Sequence, residues 1–220
     1  MKKNIVLIGF MGTGKSTVGK ILAHKIAYEF IDTDREIERV TGLTITQIFD
    51  NHGEQRFRSE ETVMARKVSE KTKKVISTGG GIVLRQENVT ALRSTGIIIE
   101  LSARPEIIWQ RISRRTHRPL IRKEMDAQVI AEMMAQREPY YQCADYRIDT
   151  SEKTLVQVVE EIAQILHQRE QEEGESWLAE MNSLPKRLEK EESRRNHRSL
   201  ILHHLSQRRN CRRKGSIGEA

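Results

Sequence analysis

Short apolar runs alternate with longer amphipathic stretches along most of the chain. The runs that predict strands lie at 4–8, 30–31, 74–77, 97–101 and 146–148. Helical periodicity fills the intervals, at 15–27, 34–41, 44–51, 54–71, 85–94, 104–115, 126–142 and 152–168. Strands that alternate with helices are typical of a parallel sheet covered on both faces. The pattern therefore predicts an α/β domain built on a five-stranded parallel sheet flanked by helices.

The pattern changes towards the C-terminus. Residues 169–220 are polar and charged, contain no strand candidate and are interrupted by Pro185. A segment of this composition buries little apolar surface on its own. We therefore expect one domain over 1–168 and a charged C-terminal extension over 169–220 that is partly helical or disordered. The apolar stripe from Trp177 to Leu188 is compatible with docking on the domain and with binding a partner.

Composition excludes several classes of protein. Of the 220 residues, 37% are hydrophobic and 31% are charged, and no apolar run approaches the ~20 residues that cross a bilayer. Cys143 and Cys211 are too few for a disulfide framework and lack the spacing of metal ligands. We therefore expect a cytoplasmic protein without membrane contact.

The net charge of +7 is confined to the end of the chain. Residues 193–220 hold eight Lys or Arg and one acid, so residues 1–192 are balanced with 30 residues of each sign. The high isoelectric point therefore says nothing about the partner of the main domain. A nucleotide-dependent regulator whose basic tail binds RNA or DNA is one alternative, but no nucleic-acid module is recognisable and we do not expect such binding.

A glycine-rich segment directly after the first strand carries the clearest chemistry. Residues 9–17 read Gly-Phe-Met-Gly-Thr-Gly-Lys-Ser-Thr, a complete phosphate-binding pattern between a strand and a helix. Its backbone N–H groups turn towards phosphates, and the helix N-terminus adds the positive end of its dipole. Lys15 is expected to reach the β- and γ-phosphates, and Ser16 to coordinate Mg²⁺. The predicted residues of this ATP or GTP site are Gly12, Thr13, Gly14, Lys15, Ser16 and Thr17.

The order of the remaining motifs resembles the shikimate kinase family over about 1–167. The motifs are Asp-Thr-Asp at 32–34, Gly-Glu-x-x-Phe-Arg-x-x-Glu at 53–61, Gly-Gly-Gly at 79–81, Arg-Pro-Leu at 118–120, Arg-x-x-x-Tyr at 137–141 and Asp-Thr at 149–150. The resemblance implies a nucleoside-monophosphate-kinase-like P-loop fold. It also implies that ATP, with Mg²⁺ as cofactor, phosphorylates the 3-hydroxyl of shikimate on the way to chorismate and the aromatic amino acids. We expect a monomer.

The resemblance implies a role for individual residues. Those that match the family's shikimate ligands are Asp34, Arg58, Gly79, Gly80, Gly81 and Arg137. Arginines can bind the carboxylate of shikimate through paired hydrogen bonds. Asp34 can accept hydrogen bonds from two of its hydroxyls and can take the proton of the attacking hydroxyl. Asp32 is expected beside Ser16 at the metal, where it would contact the ligands of the ion rather than the ion itself.

Two further arginines are expected at the nucleotide. Arg118 lies in a lid predicted at 112–125, where it would stabilise charge on the transferring phosphoryl group. Together with Lys15 and Asp34, it completes the expected catalytic residues. Arg111 resembles an arginine that stacks on adenine, a role for which Arg114 and Arg115 compete. Residues 151–153 depart from members of the family that place an arginine there.

Several assignments have structural alternatives. Asp34 is also a plausible N-cap, and Arg58 is placed to pair with Glu54 or Glu61 on its own helix. The three glycines are compatible with a simple turn, and Arg137 with a solvated position. Phe49 and Phe57 suit either the wall of the substrate pocket or the core. Another small-molecule kinase, such as a gluconate kinase, is the alternative function within the same class.

Overall fold

Five strands form one parallel sheet in this computed structural model, which describes residues 3–113 and 126–183. The strands are β1 (Asn4–Ile8), β2 (Glu29–Asp32), β3 (Lys74–Ser77), β4 (Gly96–Ser102) and β5 (Tyr146–Asp149). Their order is β2-β3-β1-β4-β5, and each neighbouring pair is parallel. The predicted five-stranded parallel sheet is confirmed.

Helices connect the strands, as the periodicity predicts. They are α1 (Lys15–Lys25), α2 (Thr33–Thr41), α3 (Ile45–Ser69), α4 (Gln86–Thr95), α5 (Pro105–Ser113), α6 (Ala127–Tyr141) and α7 (Leu155–Ser183), with a short 3₁₀ turn at Ile82–Leu84. The two helices predicted at 44–51 and 54–71 are the two parts of α3. Gly53 separates them with a φ of 78°, a backbone conformation that glycine adopts without a steric cost.

The three central strands, β3, β1 and β4, are largely buried because helices cover both faces of the sheet. Every residue of β1 is buried, and Val6 and Ile8 belong to a large apolar cluster that includes Met64 of α3, Leu92 of α4 and Tyr141 of α6. The first strand of the chain lies in the middle of the sheet, where the strand order reverses. Ligands of open α/β sheets bind at such a reversal, beyond the carboxyl ends of the strands.

The chain divides into two units, residues 1–165 and residues 166–220. The first unit contains the sheet and helices α1 to α6. The described part of the second unit, up to Ser183, is helical and belongs to α7, which therefore ends later than the predicted helix at 152–168. Within the described residues, no helix is both long and apolar enough to span a membrane.

Candidate active site

The glycine-rich segment after β1 forms a loop that leads into α1. A Cβ on Gly9 would lie 2.1 Å from the carbonyl oxygen of Leu101, so only glycine fits there. Lys15 Nζ donates to the carbonyl oxygens of Gly9 and Phe10 at 2.8 and 2.9 Å, and Thr13 Oγ1 also donates to Phe10 at 2.9 Å. The ammonium group therefore lies across the loop, which places its charge where phosphates would be held.

Three oxygen-bearing side chains meet beside the start of α1. Ser16 Oγ donates to Asp32 Oδ2 at 2.7 Å and lies 3.2 Å from Ser77 Oγ. Asp32 also accepts a hydrogen bond of 3.4 Å from the backbone N–H of Arg35, which makes it the N-cap of α2. The alternative of Asp34 as the N-cap is therefore wrong, because Asp32 has the extended backbone that a cap requires.

Asp34 lies in the first turn of α2 and faces a second carboxylate, that of Glu61. A Cβ on Gly79 would lie 2.7 Å from Asp34 Oδ1 and 2.9 Å from Glu61 Oε1. Glu61 is completely buried, and burial raises the pKa of its carboxyl; Arg58 opposes this shift, and Asp34 adds to it. The absence of a side chain at Gly79 is therefore what lets two carboxylates approach the end of β3.

Arg58 pairs with two glutamates of its own helix, Glu54 and Glu61. Its Nη1 donates to Glu61 at 2.6 Å, and its Nε and Nη2 donate to one oxygen of Glu54 at 3.1 and 2.8 Å. Burial lowers the pKa of Arg58, but the attraction of Glu61 and Glu54 outweighs burial and the pKa is raised overall. A Cβ on Gly81 would lie 2.2 Å from Nη1, so the guanidinium lies against the glycines as well.

Arg137 and Tyr141 approach the middle glycine from α6. The guanidinium carbon of Arg137 lies 5.4 Å from the ring centre of Phe10, and its Nη1 lies 3.7 Å from the position of a Cβ on Gly80. The hydroxyl of Tyr141 donates to the carbonyl oxygen of Gly80 at 2.8 Å. Burial raises the pKa of Tyr141 to about 12, although the neighbouring Arg137 opposes that shift.

Arg111 lies on the other side of the phosphate loop, against Thr150. Its Nη1 donates to Thr150 Oγ1 at 3.0 Å and its Nη2 to the Thr150 carbonyl at 2.6 Å. Thr150 Oγ1 is also 3.3 Å from the carbonyl oxygen of Thr13 and 3.0 Å from that of Ser102. Burial lowers the pKa of Arg111, with Asp149 opposing. Thr150 therefore connects the phosphate loop, the end of β4 and the arginine predicted at adenine.

A family model described as shikimate kinase matches residues 11–167, which is more than half of the chain.

The chain belongs to the shikimate kinase family.

Relatives in that family are similar to this chain over about three quarters of its length. The shikimate kinase of Caldanaerobacter subterraneus subsp. tengcongensis is 48% identical over 160 residues, which are 73% of this chain and 94% of the relative. That of Pelotomaculum thermopropionicum is 49% identical over 164 residues, 74% of this chain and 95% of the relative. Among solved structures, the shikimate kinase from Acinetobacter baumannii in complex with shikimate has a TM-score of 0.72 and 37% identity, covering 76% of this chain and 94% of that one.

The structure brings most of the predicted shikimate kinase residues together around the three glycines. Asp34 lies at Gly79, Arg137 at Gly80 and Arg58 at Gly81. The predicted ATP-site residues from Gly12 to Thr17 form the neighbouring loop and the start of α1. Arg118, Arg114 and Arg115 lie outside the described residues, as does most of the lid predicted at 112–125.

The sequence assigns no role to some of the residues that make contacts at the site. Tyr141 stands four residues after Arg137, a spacing that puts both on one face of a helix. Ser77 is the last residue of β3, and Thr150 directly follows β5. The sequence around these two residues does not indicate which side chains they contact. Phe57 is buried in the core, and its ring centre lies 4.9 Å from that of Phe49.

Proposed function

We propose that this chain transfers the γ-phosphoryl group of ATP to the 3-hydroxyl of shikimate, giving shikimate 3-phosphate and ADP. One observation carries the proposal: at each glycine of the triplet after β3, the position of a Cβ lies within 4 Å of a different predicted substrate ligand. These are Asp34 at Gly79, Arg137 at Gly80 and Arg58 at Gly81. The position of a Cβ on Gly80 is also 3.5 Å from the carbonyl oxygen of Gly9 in the phosphate loop. A small acceptor on these glycines would therefore lie beside the phosphates.

The charged side chains around the three glycines suit the binding of a hydroxylated carboxylic acid. Arg58 and Arg137 provide two guanidinium groups, and each can bind a carboxylate through paired N–H donors. Asp34 provides acceptors for the hydroxyls at the other end of the acid. As the new O–P bond forms and the bond to ADP breaks, the proton of the 3-hydroxyl passes to the carboxylate of Asp34.

The nucleotide half of the reaction falls to the phosphate loop. We propose that Lys15 exchanges its two loop carbonyls for the β- and γ-phosphate oxygens when ATP binds. Arg111 and Thr150 would border the adenine on the far side of the loop. Arg118 is proposed to neutralise charge on the transferring group.

A Mg²⁺ ion fits the oxygen donors beside α1. The Ser16 hydroxyl lies within hydrogen-bond distance of the Asp32 carboxylate and of the Ser77 hydroxyl, and such oxygens are the hard ligands that this ion prefers. Among the described residues there is no cluster of three or more His, Cys, Asp or Glu side chains that could hold a metal. Protein sites for Mg²⁺ commonly use one or two such ligands and complete the shell with phosphates and water. When bound, the ion would neutralise charge on the β- and γ-phosphates.

Release of ADP in a coupled assay tests the proposal. We expect ADP release that depends on shikimate, with little release on gluconate or without an acceptor, and we expect NMR of the product to locate the phosphate on the 3-hydroxyl. The Lys15→Ala variant serves as the inactive control and should retain less than about a tenth of the wild-type kcat. Equal rates with gluconate would favour the alternative kinase, and release without any acceptor would favour a nucleotide hydrolase.

We further propose that residues 1–168 carry the whole activity. All described residues of the proposed site lie between Gly9 and Thr150. The monomeric state, the cytoplasmic location and the expected lack of nucleic-acid binding by the basic tail stay predictions.

A further inference from the structure

A glutamate interrupts the apolar run of strand β4. Three isoleucines, Ile97 to Ile99, precede Glu100 in this strand, and Glu100 is only 4% exposed. In the strand register Glu100 lies between Ile8 of β1 and Arg147 of β5. A charge at such a position is costly unless a partner compensates it.

Arg147 is that partner, and it holds a second glutamate at the same time. Its Nε lies 3.3 Å from Glu100 Oε2. Its Nη1 and Nη2 donate to the two oxygens of Glu138 on α6, at 2.5 and 2.9 Å. We call Glu100, Arg147 and Glu138 the ionic triad; it joins the sheet to α6 through one guanidinium.

The triad reaches α6 at the turn that carries proposed substrate contacts. Glu138 directly follows Arg137 and precedes Tyr141 by three residues, and both of these approach Gly80. Pro139 lies within the same turn and has no N–H, so one helical hydrogen bond is missing there. The last turn of α6 therefore depends more than usual on side-chain contacts for its position.

We propose that the ionic triad positions the last turn of α6, and with it Arg137, for binding the carboxylate of the substrate. Arg147 fixes Glu138 to the edge strand, and Glu100 fixes Arg147 from within the sheet. The three are positioning residues, because the geometry gives them no contact with the proposed ligands. This inference rests on the proposed role of Arg137 in shikimate binding.

The charge state of Glu100 sets how firmly Arg147 is held. The ionisable groups that face it are Arg147 of β5, Glu138 and Tyr141 of α6 and Cys143 beyond that helix, whereas β1 presents Ile8. Burial raises the pKa of Glu100 to about 7; Arg147 opposes the shift and Glu138 adds to it. When Glu100 is ionised, two carboxylates hold Arg147, those of Glu100 and Glu138. When Glu100 is protonated, the carboxylate of Glu138 holds it alone. The shikimate KM should therefore rise as the pH falls through neutrality.

Kinetics of Glu100→Gln and Arg147→Met test the positioning role. We expect each to raise the shikimate KM about threefold to tenfold with smaller changes in kcat and in the ATP KM, as for a lost contribution to ground-state binding. Glu100→Gln should also flatten the dependence of the shikimate KM on pH, measured at saturating ATP. Arg39→Met is the matched control, because Arg39 also donates hydrogen bonds to both carboxylate oxygens of a glutamate, Glu36, but on the surface of α2. It should leave the shikimate KM unchanged.

Amide hydrogen exchange gives a readout that needs no activity. Arg147→Met should speed exchange in peptides covering the last turn of α6, and Arg39→Met should not. Rescue of both readouts by Arg147→Lys would support an ionic role. Unchanged exchange at that turn, or an unchanged shikimate KM in both Arg147→Met and Glu100→Gln, would overturn the positioning role. A wild type that does not use shikimate would overturn the proposed function instead, and exchange would then decide the positioning role alone.

Discussion

Arg58 donates from Nη1 to Oε2 of Glu61 at 2.6 Å, and both residues lie on α3. Glu61 is completely buried, and its other oxygen has no hydrogen-bond partner among the residues that the structure describes. Breaking such a buried pair is costly, because the carboxylate would be left without compensation. Glu61 therefore keeps the guanidinium against Gly81 before any substrate arrives.

Loss of either proposed carboxylate ligand should weaken shikimate binding. Arg58→Ala and Arg137→Ala each remove a charged hydrogen bond worth about 1.5–3 kcal/mol, hence a loss of roughly tenfold to a hundredfold in affinity. Titration calorimetry with shikimate measures the loss, and the affinity for ATP should change much less. Unaltered shikimate binding in both variants would contradict the carboxylate clamp.

Glu54 is expected to compete with the substrate for Arg58. It accepts from Nε and Nη2, the edge of the guanidinium that binds a carboxylate side by side, and its own side chain is largely exposed. An exposed pair of this kind is worth up to about 1 kcal/mol, so Glu54→Gln should lower the shikimate KM by up to about fivefold. Glu60→Gln, which loses the neighbouring pair with Arg56, is the control. A higher KM in Glu54→Gln would show that Glu54 aligns Arg58 rather than competing for it.

A methyl group on the last glycine of the triplet should displace Arg58. The Cβ of Gly81→Ala would lie 2.2 Å from Nη1 and 2.7 Å from the guanidinium carbon, so Arg58 has to move. We expect the shikimate KM to rise at least about tenfold, as for loss of the Arg58 hydrogen bond itself. Gly174→Ala is the control, because a Cβ there meets nothing within 4 Å. Steady-state kinetics of the two variants give the comparison.

The sheet and the phosphate loop could be predicted because a local sequence pattern indicates each of them. The strands that begin at Asn4 and Lys74 follow from short apolar runs, and the fold around Lys15 from a motif between a strand and a helix. Helix ends are harder to predict. The extension is predicted to be partly helical, but not as a continuation of the last helix to Ser183, since charged residues there obscure the apolar periodicity.

Contacts between distant segments could not be predicted in the same way. Arg147 and Glu138 are nine residues apart, yet the contact of Arg147 with Glu100 depends on β4 and β5 being neighbours in register. Thr150 similarly meets Thr13 only because the strands β1, β4 and β5 end at one edge. Such contacts depend on which strands are neighbours in the sheet. The sequence pattern predicts a parallel α/β fold without giving the order of its strands.

Removal of the buried charge in β4 should change how stability depends on pH. Because burial raises the pKa of Glu100 from 4.5 to about 7, its contribution to stability is fully present below 4.5 and is lost as the pH rises through 7. The full difference is about 3 kcal/mol. Urea unfolding at about pH 5 and about pH 8 should show Glu100→Gln gaining stability relative to the wild type at the higher pH. A constant difference between the two proteins would place the pKa of Glu100 near its ordinary value.

A chain that ends at His167 should retain the proposed activity. The buried side chains described in α7 are Val158, Val159 and Ile162, all of which this chain keeps. The family model also ends at residue 167. We expect kcat and the shikimate KM within about threefold of the full-length values, a change below roughly 0.7 kcal/mol, together with a similar midpoint of thermal unfolding. Aggregation or loss of most activity would instead make residues 168–220 a structural part of the kinase, because only contacts beyond His167 differ between the two chains.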